Sequence, residues 1–235
     1  MKNKIKQILR VPIGLYLYWK YVKKTFVEIR NREKFGYIGK GVMLDPPLYF
    51  TDQTKVFLSD YTKLRQGFKL INNTGKFIVK KYSAIATNCT VVTGNHKPTV
   101  GVLHPFLGNY HINDVDRDVI IEEDVWVGAN CTLLPGTHIG RTAVIGACSM
   151  VNSEIPPYAV AVGCPAKVIA SVFTIDEIIE HEKLTYPVEE RFSRSYLEQL
   201  FETHYQGKKS IGISTISSED KVLLAKLMEQ YQIKV

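Results

Sequence analysis

The sequence lacks the patterns that identify several common classes of protein. Its four cysteines include no CxxC pair and no zinc-finger spacing, so we expect packed thiols in a reducing, cytoplasmic location and no disulfide framework. The apolar stretch VPIGLYLYW is nine residues long, which is too short to cross a bilayer, and no small-residue cleavage site follows it. The sequence therefore predicts neither a transmembrane helix nor a signal peptide.

Acidic residues are scarce near the N-terminus. Residues 1–40 contain 11 Lys or Arg and 2 Glu, a net charge of +9, whereas the other 195 residues contain 19 basic and 21 acidic residues, a net charge of −2. The basicity therefore belongs to one segment. Because no basic face accompanies the rest of the chain and no base-stacking motif occurs, nucleic acid is not expected as a partner.

One stretch, from about Val119 to Val151, repeats with a period of six residues. A helix would repeat its apolar residues at intervals of three and four, and an alternating strand at intervals of two. A period of six instead predicts a coil with short flat faces, in which one aliphatic residue per face points into a narrow axis. The aliphatic positions are Ile121, Val127, Leu133, Ile139, Ile145 and Val151, and two positions earlier stand Val125, Cys131, Thr137, Ala143 and Ser149.

Glycine follows the aliphatic residue at Gly128, Gly140 and Gly146. We expect these glycines at corners, where the backbone needs a positive φ or has no room for a Cβ atom. The same rhythm begins weakly at Tyr37 and shifts by three residues at Asn72–Lys76, with few glycines. Its aliphatic positions there are Leu58, Leu64, Leu70, Val79, Ile85 and Val91.

The repeat stops between Val92 and Asp114 and is predicted to return at Val115. Loops of this length without structure of their own are uncommon and are usually functional. This loop contains three of the six histidines, His96, His104 and His111. We therefore expect this loop to have a function.

The segment that follows Val151, IPPYAVAVGCPAKVI, is predicted to leave the coil. Capping-box patterns that begin at Thr174 and Ser195 predict two helices, and a last helix is expected over residues 219–231. We expect these helices to cover the open end of the coil, which would otherwise be an exposed sheet edge.

The first 35 residues are predicted to be helical, with Pro12 starting or breaking a helix. Two interpretations of this segment remain open. It is a helical cap that packs its aromatic residues on the end of the coil, or a basic amphipathic segment that lies on the anionic inner face of a membrane. We favour the cap. The residues near one face are Leu15, Tyr18, Trp19, Val22, Phe26 and Ile29.

The repeat, with its segments VWVGAN, LLPGTHIG and IPPYAVAVGCPAKVI, resembles the hexapeptide-repeat acyltransferases. The resemblance is good over residues 79–170 and looser over 38–78. It implies a mainly β fold, a left-handed parallel β-helix over residues 37–170 with an extended loop at 92–114. An N-terminal helical basic segment (1–36) and a C-terminal helical region (171–235) would flank it. The resemblance also implies a homotrimer with active sites between subunits.

The resemblance implies that His96, in TGNHKP, is the general base that deprotonates an acceptor hydroxyl group. A histidine titrates near neutral pH, as such a base requires. His104 and His111 are its rivals and, with Asn88 and Asn95, candidates for contact with the acceptor. Asp114 and Asp116 are the candidates to orient the imidazole, and the resemblance favours Asp114 as the second catalytic residue. His138, beside an inward-facing position, is interpreted as structural.

Acetyl-CoA is the cofactor that the resemblance implies, as acyl donor, and no metal is expected. Trp126 is predicted to point out of the coil, beside the donor groove or a neighbouring subunit. Small residues would leave a strand edge open to the thin pantetheine arm. GCPAK resembles the family's Gly-Asn-Pro-Ala-Lys segment, which implies a cation near the CoA phosphates. The candidate donor-binding residues are Trp126, Gly128, Ala129, Gly146, Ala147, Pro165, Ala166 and Lys167.

Two residues in or near GCPAK differ from the family's pattern and affect the expected binding of the CoA nucleotide. Cys164 replaces the usual Asn, and Ala170 stands where a basic residue often follows. We therefore expect nucleotide binding to be weaker or supplied elsewhere.

The expected reaction is direct acetyl transfer to a hydroxyl group of a saccharide, either a surface polysaccharide unit or a small sugar. Backbone amides near Gly128 or Ala129 would stabilise the oxyanion. Alternatives are an N-acetyltransferase of a nucleotide-linked amino sugar, a xenobiotic O-acetyltransferase and a non-catalytic scaffold. A zinc carbonic anhydrase ranks low, because its site needs three histidines from neighbouring coils, whereas His96, His104 and His111 share one loop.

Overall fold

A computed structural model of the chain describes the backbone of residues 2–231 and the side chains of residues 12–229. The α-helices are α1 (Lys2–Val22), α2 (His104–Tyr110), α3 (Ile175–Thr185), α4 (Arg194–Leu200) and α5 (Ser218–Tyr231). Short 3₁₀ turns cover Glu28–Arg30, Arg32–Lys34, Gln53–Lys55 and Val188–Glu190, and single π-turns cover Lys23–Val27 and Phe201–Tyr205.

The strands are short, and most have two or three residues. In chain order they are β1 (Tyr37–Ile38), β2 (Met43–Leu44), β3 (Tyr49–Phe50), β4 (Val56–Leu58), β5 (Lys63–Leu64), β6 (Lys69–Ile71), β7 (Phe77–Val79), β8 (Ala84–Ile85), β9 (Thr90–Val92), β10 (Val119–Ile121), β11 (Trp126–Val127), β12 (Thr132–Leu133), β13 (His138–Ile139), β14 (Val144–Ile145), β15 (Met150–Val151), β16 (Glu154–Ile155), β17 (Ala159–Gly163), β18 (Ala166–Ser171) and β19 (Lys209–Ser210).

Successive strands pass in turn through three sheets, which makes the body a three-sided parallel coil. One sheet has the order β1-β4-β7-β10-β13-β16, and a second has the order β3-β6-β9-β12-β15. The third has the order β2-β5-β8-β11-β14-β17 and is extended by β18 and β19. All pairs are parallel except β17 with β18. The prediction of a parallel β-helix is confirmed.

The period of six follows from the geometry of one face. Ile121, Val127 and Leu133 lie on β10, β11 and β12, one strand on each side of the coil, and each is fully buried. In the parallel register Ile121 lies beside Ile139, and Val127 beside Ile145. The aliphatic residues therefore stack along the axis, and each contributes about 1.5–3 kcal/mol through burial. The predicted core register is confirmed.

The small residues fill the corners, where they are buried and hydrogen-bonded. Ser83 donates to the carbonyl of Glu122 (2.5 Å) and accepts from the amide of Val125 (2.9 Å). The Cys89 thiol donates to the carbonyl of Gly128 (3.1 Å). All four cysteines are free; Cys89 and Cys131 are buried, as expected of packed thiols, whereas Cys148 and Cys164 are exposed.

The glycines of the repeat are explained by lack of room. A Cβ atom on Gly128 would lie 2.6 Å from the amide nitrogen of Ala147, and one on Gly140 would lie 2.5 Å from the nitrogen of Pro157. Positive φ is found instead at non-glycine corner residues, including Asn130 (58°) and Cys148 (61°). Of the two reasons expected for these glycines, the conformational one is wrong, because the left-handed residue lies two positions further on.

The N-terminal segment differs from the favoured prediction in two ways. Pro12 lies inside α1, so it neither starts nor ends the helix. The residues that close the first coil are Ile29 and Phe35, which are buried in the core, whereas Tyr18 and Trp19 are 68% and 59% exposed. The cap is therefore the short segment after α1, because only that segment is adjacent to the coil, and the aromatic residues of α1 do not pack on the described core.

The long loop is more structured and closes later than predicted. It contains α2, in which Leu107 is buried. Val115 is 40% exposed, and the next strand begins only at Val119. The predicted return of the register at Val115 is wrong, because the loop first folds back on itself through residues 93–118.

Three C-terminal predictions need correction. The coil does not end at Val151, because β16 and β17 still pair with β13 and β14. The capping box at Thr174 is confirmed at the start of α3, but α4 is capped by Ser193 and not by Ser195. Helices α3 and α4 bury Ile178 and Leu197 in the core, whereas in α5 the predicted face remains 41–56% exposed at Leu223, Leu224 and Leu227.

Candidate functional site

The loop between β9 and β10 projects from the coil and contains a pocket. Hydrogen bonds at its base hold it to the coil. His96 and Asp114 form an isolated antiparallel bridge, and the amide of Val115 donates to the carbonyl of Asn95 (2.9 Å). Asp116 accepts hydrogen bonds from the amide (2.8 Å) and the hydroxyl group (2.5 Å) of Thr74. The two ends of the excursion are therefore held together and fastened to a neighbouring turn.

Asp114 brings two histidines of this loop together. Nδ1 of His96 lies 2.6 Å from Oδ1 of Asp114, and Nδ1 of His111 lies 2.6 Å from Oδ2. The two imidazole centroids are 5.9 Å apart. The carboxylate is mostly covered, with 13% of its side chain exposed, whereas about half of each imidazole faces solvent.

The carboxylate determines which ring nitrogens carry protons. An ionised carboxylate only accepts hydrogen bonds, so each Nδ1 is assigned as the N–H donor. In its neutral form each histidine then has the lone pair on Nε2, the nitrogen turned away from Asp114. The hydrogen bonds from His96 and from His111 lower the pKa of Asp114 below its ordinary value, so this acceptor remains charged across the neutral range.

The other predicted loop and acceptor residues lie elsewhere. His104 begins α2, is exposed and is not part of this cluster. Asn88 lies at a corner with a positive φ of 60°, which explains an Asn there without a ligand. His138 is held by Glu122 (2.9 Å) on the outer face of the coil, so the structural interpretation of this residue is supported. Asp116 binds Thr74 and does not contact an imidazole.

His111 is the residue whose position sequence reasoning underestimated. It was expected only as a rival base or an acceptor contact, yet it shares Asp114 with His96. It also lies 3.5 Å from the side-chain amide of Asn73, on a preceding coil. The spacing of three residues between His111 and Asp114 is the signal that could have indicated this contact.

The residues predicted to bind the acyl donor lie along one face of the coil and at one end of that face. Trp126 is 55% exposed, so the prediction that it points outward is confirmed. It lies between Ala84 and Val144 in adjacent strands of its sheet.

One donor-side expectation is wrong. The amide of Gly128 donates to the carbonyl of Ile145 (2.8 Å), and that of Gly146 donates to the carbonyl of Ala161 (2.9 Å). Both amides belong to the ladder between coils and cannot bind an oxyanion or pantetheine. Ala129 and Ala147, at the following corners, remain the candidates.

The GCPAK segment forms a hairpin between β17 and β18. Gly163 has a φ of 102°, and its amide donates to the hydroxyl group of Ser149 (3.1 Å). Lys167 is exposed, and among the described residues it forms no ion pair. The hairpin therefore presents a cation towards one end of the sheet in which Trp126 lies.

The same loop cluster offers metal-ligand atoms. Among the described residues, the ligand atoms of His96, His111 and Asp114 lie within 4.8 Å of one another. This group has two histidines and one carboxylate from one loop, not the three histidines of the carbonic anhydrase alternative. The hydrogen bonds already given account for its arrangement.

The chain is similar to known proteins both in sequence and in fold. The family model for the bacterial transferase hexapeptide (six repeats) matches residues 118–153. A galactoside O-acetyltransferase of Lactococcus lactis is 33% identical over 138 residues, which cover 58% of this chain and 63% of that protein. The chain thus spans less than two thirds of that relative.

Two further matches cover more of the compared protein. A probable macrolide acetyltransferase of Lysinibacillus sphaericus is 32% identical over 132 residues, which cover 51% of this chain and 72% of that protein. A solved structure of galactoside acetyltransferase in complex with coenzyme A is similar with a TM-score of 0.55 and 24% identity, covering 77% of this chain and 86% of that one. The structural likeness covers much more of the chain than the matched repeat does.

Proposed function

Because the chain belongs to the hexapeptide-repeat acetyltransferases, we propose that it transfers an acetyl group from acetyl-CoA to a hydroxyl group of a saccharide. The left hand of the coil is proposed on the same membership. The observation that carries the proposed chemistry is the contact between Nδ1 of His96 and the carboxylate of Asp114 (2.6 Å). It resembles the histidine and acid pair that activates a hydroxyl group in other transferases and hydrolases.

In the proposed reaction, Nε2 of His96 takes the proton of the acceptor hydroxyl group. The hydroxyl oxygen attacks the thioester carbon of acetyl-CoA, and the resulting oxyanion is stabilised by a backbone amide at Ala129 or Ala147. The carbon–sulfur bond then breaks, and the imidazolium returns its proton to the CoA thiolate. Asp114 orients the imidazole and stabilises its positive charge throughout. No covalent enzyme intermediate is required.

Donor binding is assigned to the face that carries Trp126. The small residues Ala129 and Ala147 leave room for a thin pantetheine arm beside the indole, and Lys167 provides a cation for a CoA phosphate. The roles of Pro165 and Ala166 are to hold the hairpin that presents this lysine. In one chain the imidazole of His96 is about half exposed, which is consistent with a site completed by a second copy, and we propose a homotrimer.

The saccharide acceptor is supported by the galactoside O-acetyltransferase relative, and Asn95 and His111 are the proposed acceptor contacts. The macrolide acetyltransferase relative favours a second candidate, a xenobiotic hydroxyl group. Both acceptors present a hydroxyl group to the same base, so the proposed chemistry of His96 is common to the two.

The test is release of the CoA thiol from acetyl-CoA in the presence of galactosides, other sugars, macrolides and chloramphenicol. Acceptor-dependent release that falls by about 10²–10⁴-fold in His96→Ala supports the proposal. His104→Ala is the matched control, since this exposed histidine of the same loop lies outside the cluster, and it should retain activity. Release that is unaffected by His96→Ala would overturn the assignment of the base. Failure to bind acetyl-CoA would overturn the transferase.

A further inference from the structure

Helix α1 has a large apolar surface that the rest of the described molecule does not cover. Seven large apolar side chains between residues 13 and 21 are 53–68% exposed. Isolated exposed apolar residues are common, but a contiguous exposed set marks an interaction surface. The seven are Ile13, Leu15, Tyr16, Leu17, Tyr18, Trp19 and Tyr21.

The same segment carries charge of one sign. Residues 1–24 contain seven Lys or Arg and no Asp or Glu, and the first acidic residue is Glu28. Lys20 lies within the apolar set, and Lys23 and Lys24 follow it directly. Nζ of Lys23 lies 5.3 Å from the ring centroid of Trp19. A partner that covers α1 must therefore accept both apolar side chains and several cations.

The helix is joined to the coil by a packed connection. Thr25 and Ile29 are buried, and Nζ of Lys24 donates to the hydroxyl group of Tyr49 (3.1 Å). The apolar set thus ends one turn before an anchored segment. A surface bound by α1 would hold the β-helix close to it, without a long tether.

The combination fits a lipid surface better than a membrane span. Among the described residues, no helix is long and apolar enough to cross a membrane. Tyrosine and tryptophan favour the boundary between headgroups and acyl chains, and lysines beside them gain free energy next to anionic lipids. A helix with these residues lies in the interface plane.

We propose that α1 docks this protein on an anionic phospholipid surface. The apolar side chains of residues 13–21 enter the headgroup boundary, and the flanking lysines contact lipid phosphates. The docking is independent of acetyl transfer, because it uses no residue of the His96 cluster.

The experiment is co-sedimentation of the full chain with vesicles of phosphatidylcholine alone or of phosphatidylcholine mixed equally with phosphatidylglycerol. We expect binding to the mixed vesicles, and we expect it to weaken when salt rises from about 0.05 M to about 0.5 M, as screening requires. The double variant Lys20→Gln/Lys23→Gln should bind about thirtyfold more weakly at low salt. Leu15→Ser/Trp19→Ser should weaken binding at both salt concentrations.

Lys208→Gln/Lys209→Gln is the matched control, since it removes two charges from exposed residues at the other end of the chain. This variant and His96→Ala should bind as the wild type does. Wild-type protein that stays in solution with the mixed vesicles overturns the proposal, and so does an equal loss in the control variant. If Leu15→Ser/Trp19→Ser instead dissociates an oligomer in sedimentation velocity, without any lipid binding, a second copy covers α1 and the proposal is wrong.

Discussion

Nδ1 of His96 lies 2.6 Å from a carboxylate oxygen of Asp114, and this contact closes an excursion of more than twenty residues between two strands of the coil. Asp114 follows His96 by 18 residues in the sequence, yet the two side chains are in contact. Because the two residues also form a backbone bridge, the orientation of the imidazole depends on how the loop folds back. Catalytic geometry and loop closure are therefore coupled here.

Asp114→Asn should reduce acetyl transfer while leaving the fold intact. The amide can still contact Nδ1 but no longer stabilises the imidazolium or selects the tautomer with the lone pair on Nε2. We expect kcat to fall by about 10²–10⁴-fold, with a smaller change in KM for acetyl-CoA. Asp45→Asn is the control, because it removes a surface carboxylate that pairs with Arg65 (2.7 Å). Unchanged kcat in Asp114→Asn would contradict the assigned role.

His111→Asn should raise the pKa of the Asp114 carboxyl group, because the hydrogen bond from His111 is one of the two that lower it. The sign follows from linkage. A carboxyl group with a lowered folded pKa contributes stability above its unfolded pKa and loses it as pH falls through the folded value. The variant should thus lose less stability on acidification. The carboxyl ¹³C shift of Asp114, followed against pH, measures the change, and an unchanged midpoint would show that His111 does not hold this carboxylate.

Gly128→Ala should destabilise the coil. The added Cβ would lie 2.6 Å from the amide nitrogen of Ala147 and 2.8 Å from the carbonyl oxygen of Ile145, and both belong to backbone that cannot move without breaking the ladder. We expect a loss of about 1–3 kcal/mol in the free energy of unfolding. Gly14→Ala is the control, since a Cβ there meets nothing within 4 Å, and in a helix this change should gain up to about 1 kcal/mol. Denaturant unfolding of both variants tests the contrast.

Glu182→Ala should loosen the C-terminal helices from the coil. This buried carboxylate accepts from the hydroxyl group of Tyr158 (3.1 Å), the amide of Phe192 (2.5 Å) and the guanidinium group of Arg141 (3.3 Å). Its removal leaves the hydroxyl group of Tyr158 and the amide of Phe192 without this acceptor in a buried site. Arg141 retains its hydrogen bond to the carbonyl of Glu190 (2.8 Å) but loses the buried carboxylate, and we expect a total cost of about 3–5 kcal/mol. Glu180→Ala, on the exposed side of the same helix, should change the melting temperature little. Equal effects of the two variants would contradict the role given to Glu182.

Periodicity alone predicted the coil. Every aliphatic residue from Ile121 to Val151 in the repeat is fully buried, as are the earlier ones from Leu58 to Val91. The period can be recognised locally, because each short face has one inward-pointing residue and the next coil repeats the same arrangement. The sequence also indicated the outward position of Trp126 and the cap at Thr174, since each depends only on neighbouring residues.

Two of the failures involve contacts between distant segments. Val115 fits the register but lies outside it, because the loop closes through Asp116 and Thr74 before the next strand can begin. A backbone amide near Gly128 or Ala129 was expected to bind an oxyanion, but that of Gly128 donates to the carbonyl of Ile145 on the next coil, which leaves Ala129. A third failure is local: Ser195 has the right spacing for a cap, yet Ser193 accepts the hydrogen bond from the amide of Tyr196 and has that role.

By itself the sequence determined the parallel coil, its axial core, the histidine-bearing loop and the basic, aromatic N-terminal helix. These features repeat, or are concentrated within a few turns of chain, so composition and spacing describe them. Only the tertiary structure decided that Asp114 and not Asp116 holds His96, that His111 shares this carboxylate, and that Ile29 and Phe35 close the coil in place of the aromatic residues of α1. Those outcomes depend on which distant surfaces meet, because a hydrogen bond or a buried contact requires a distance that residue spacing does not specify.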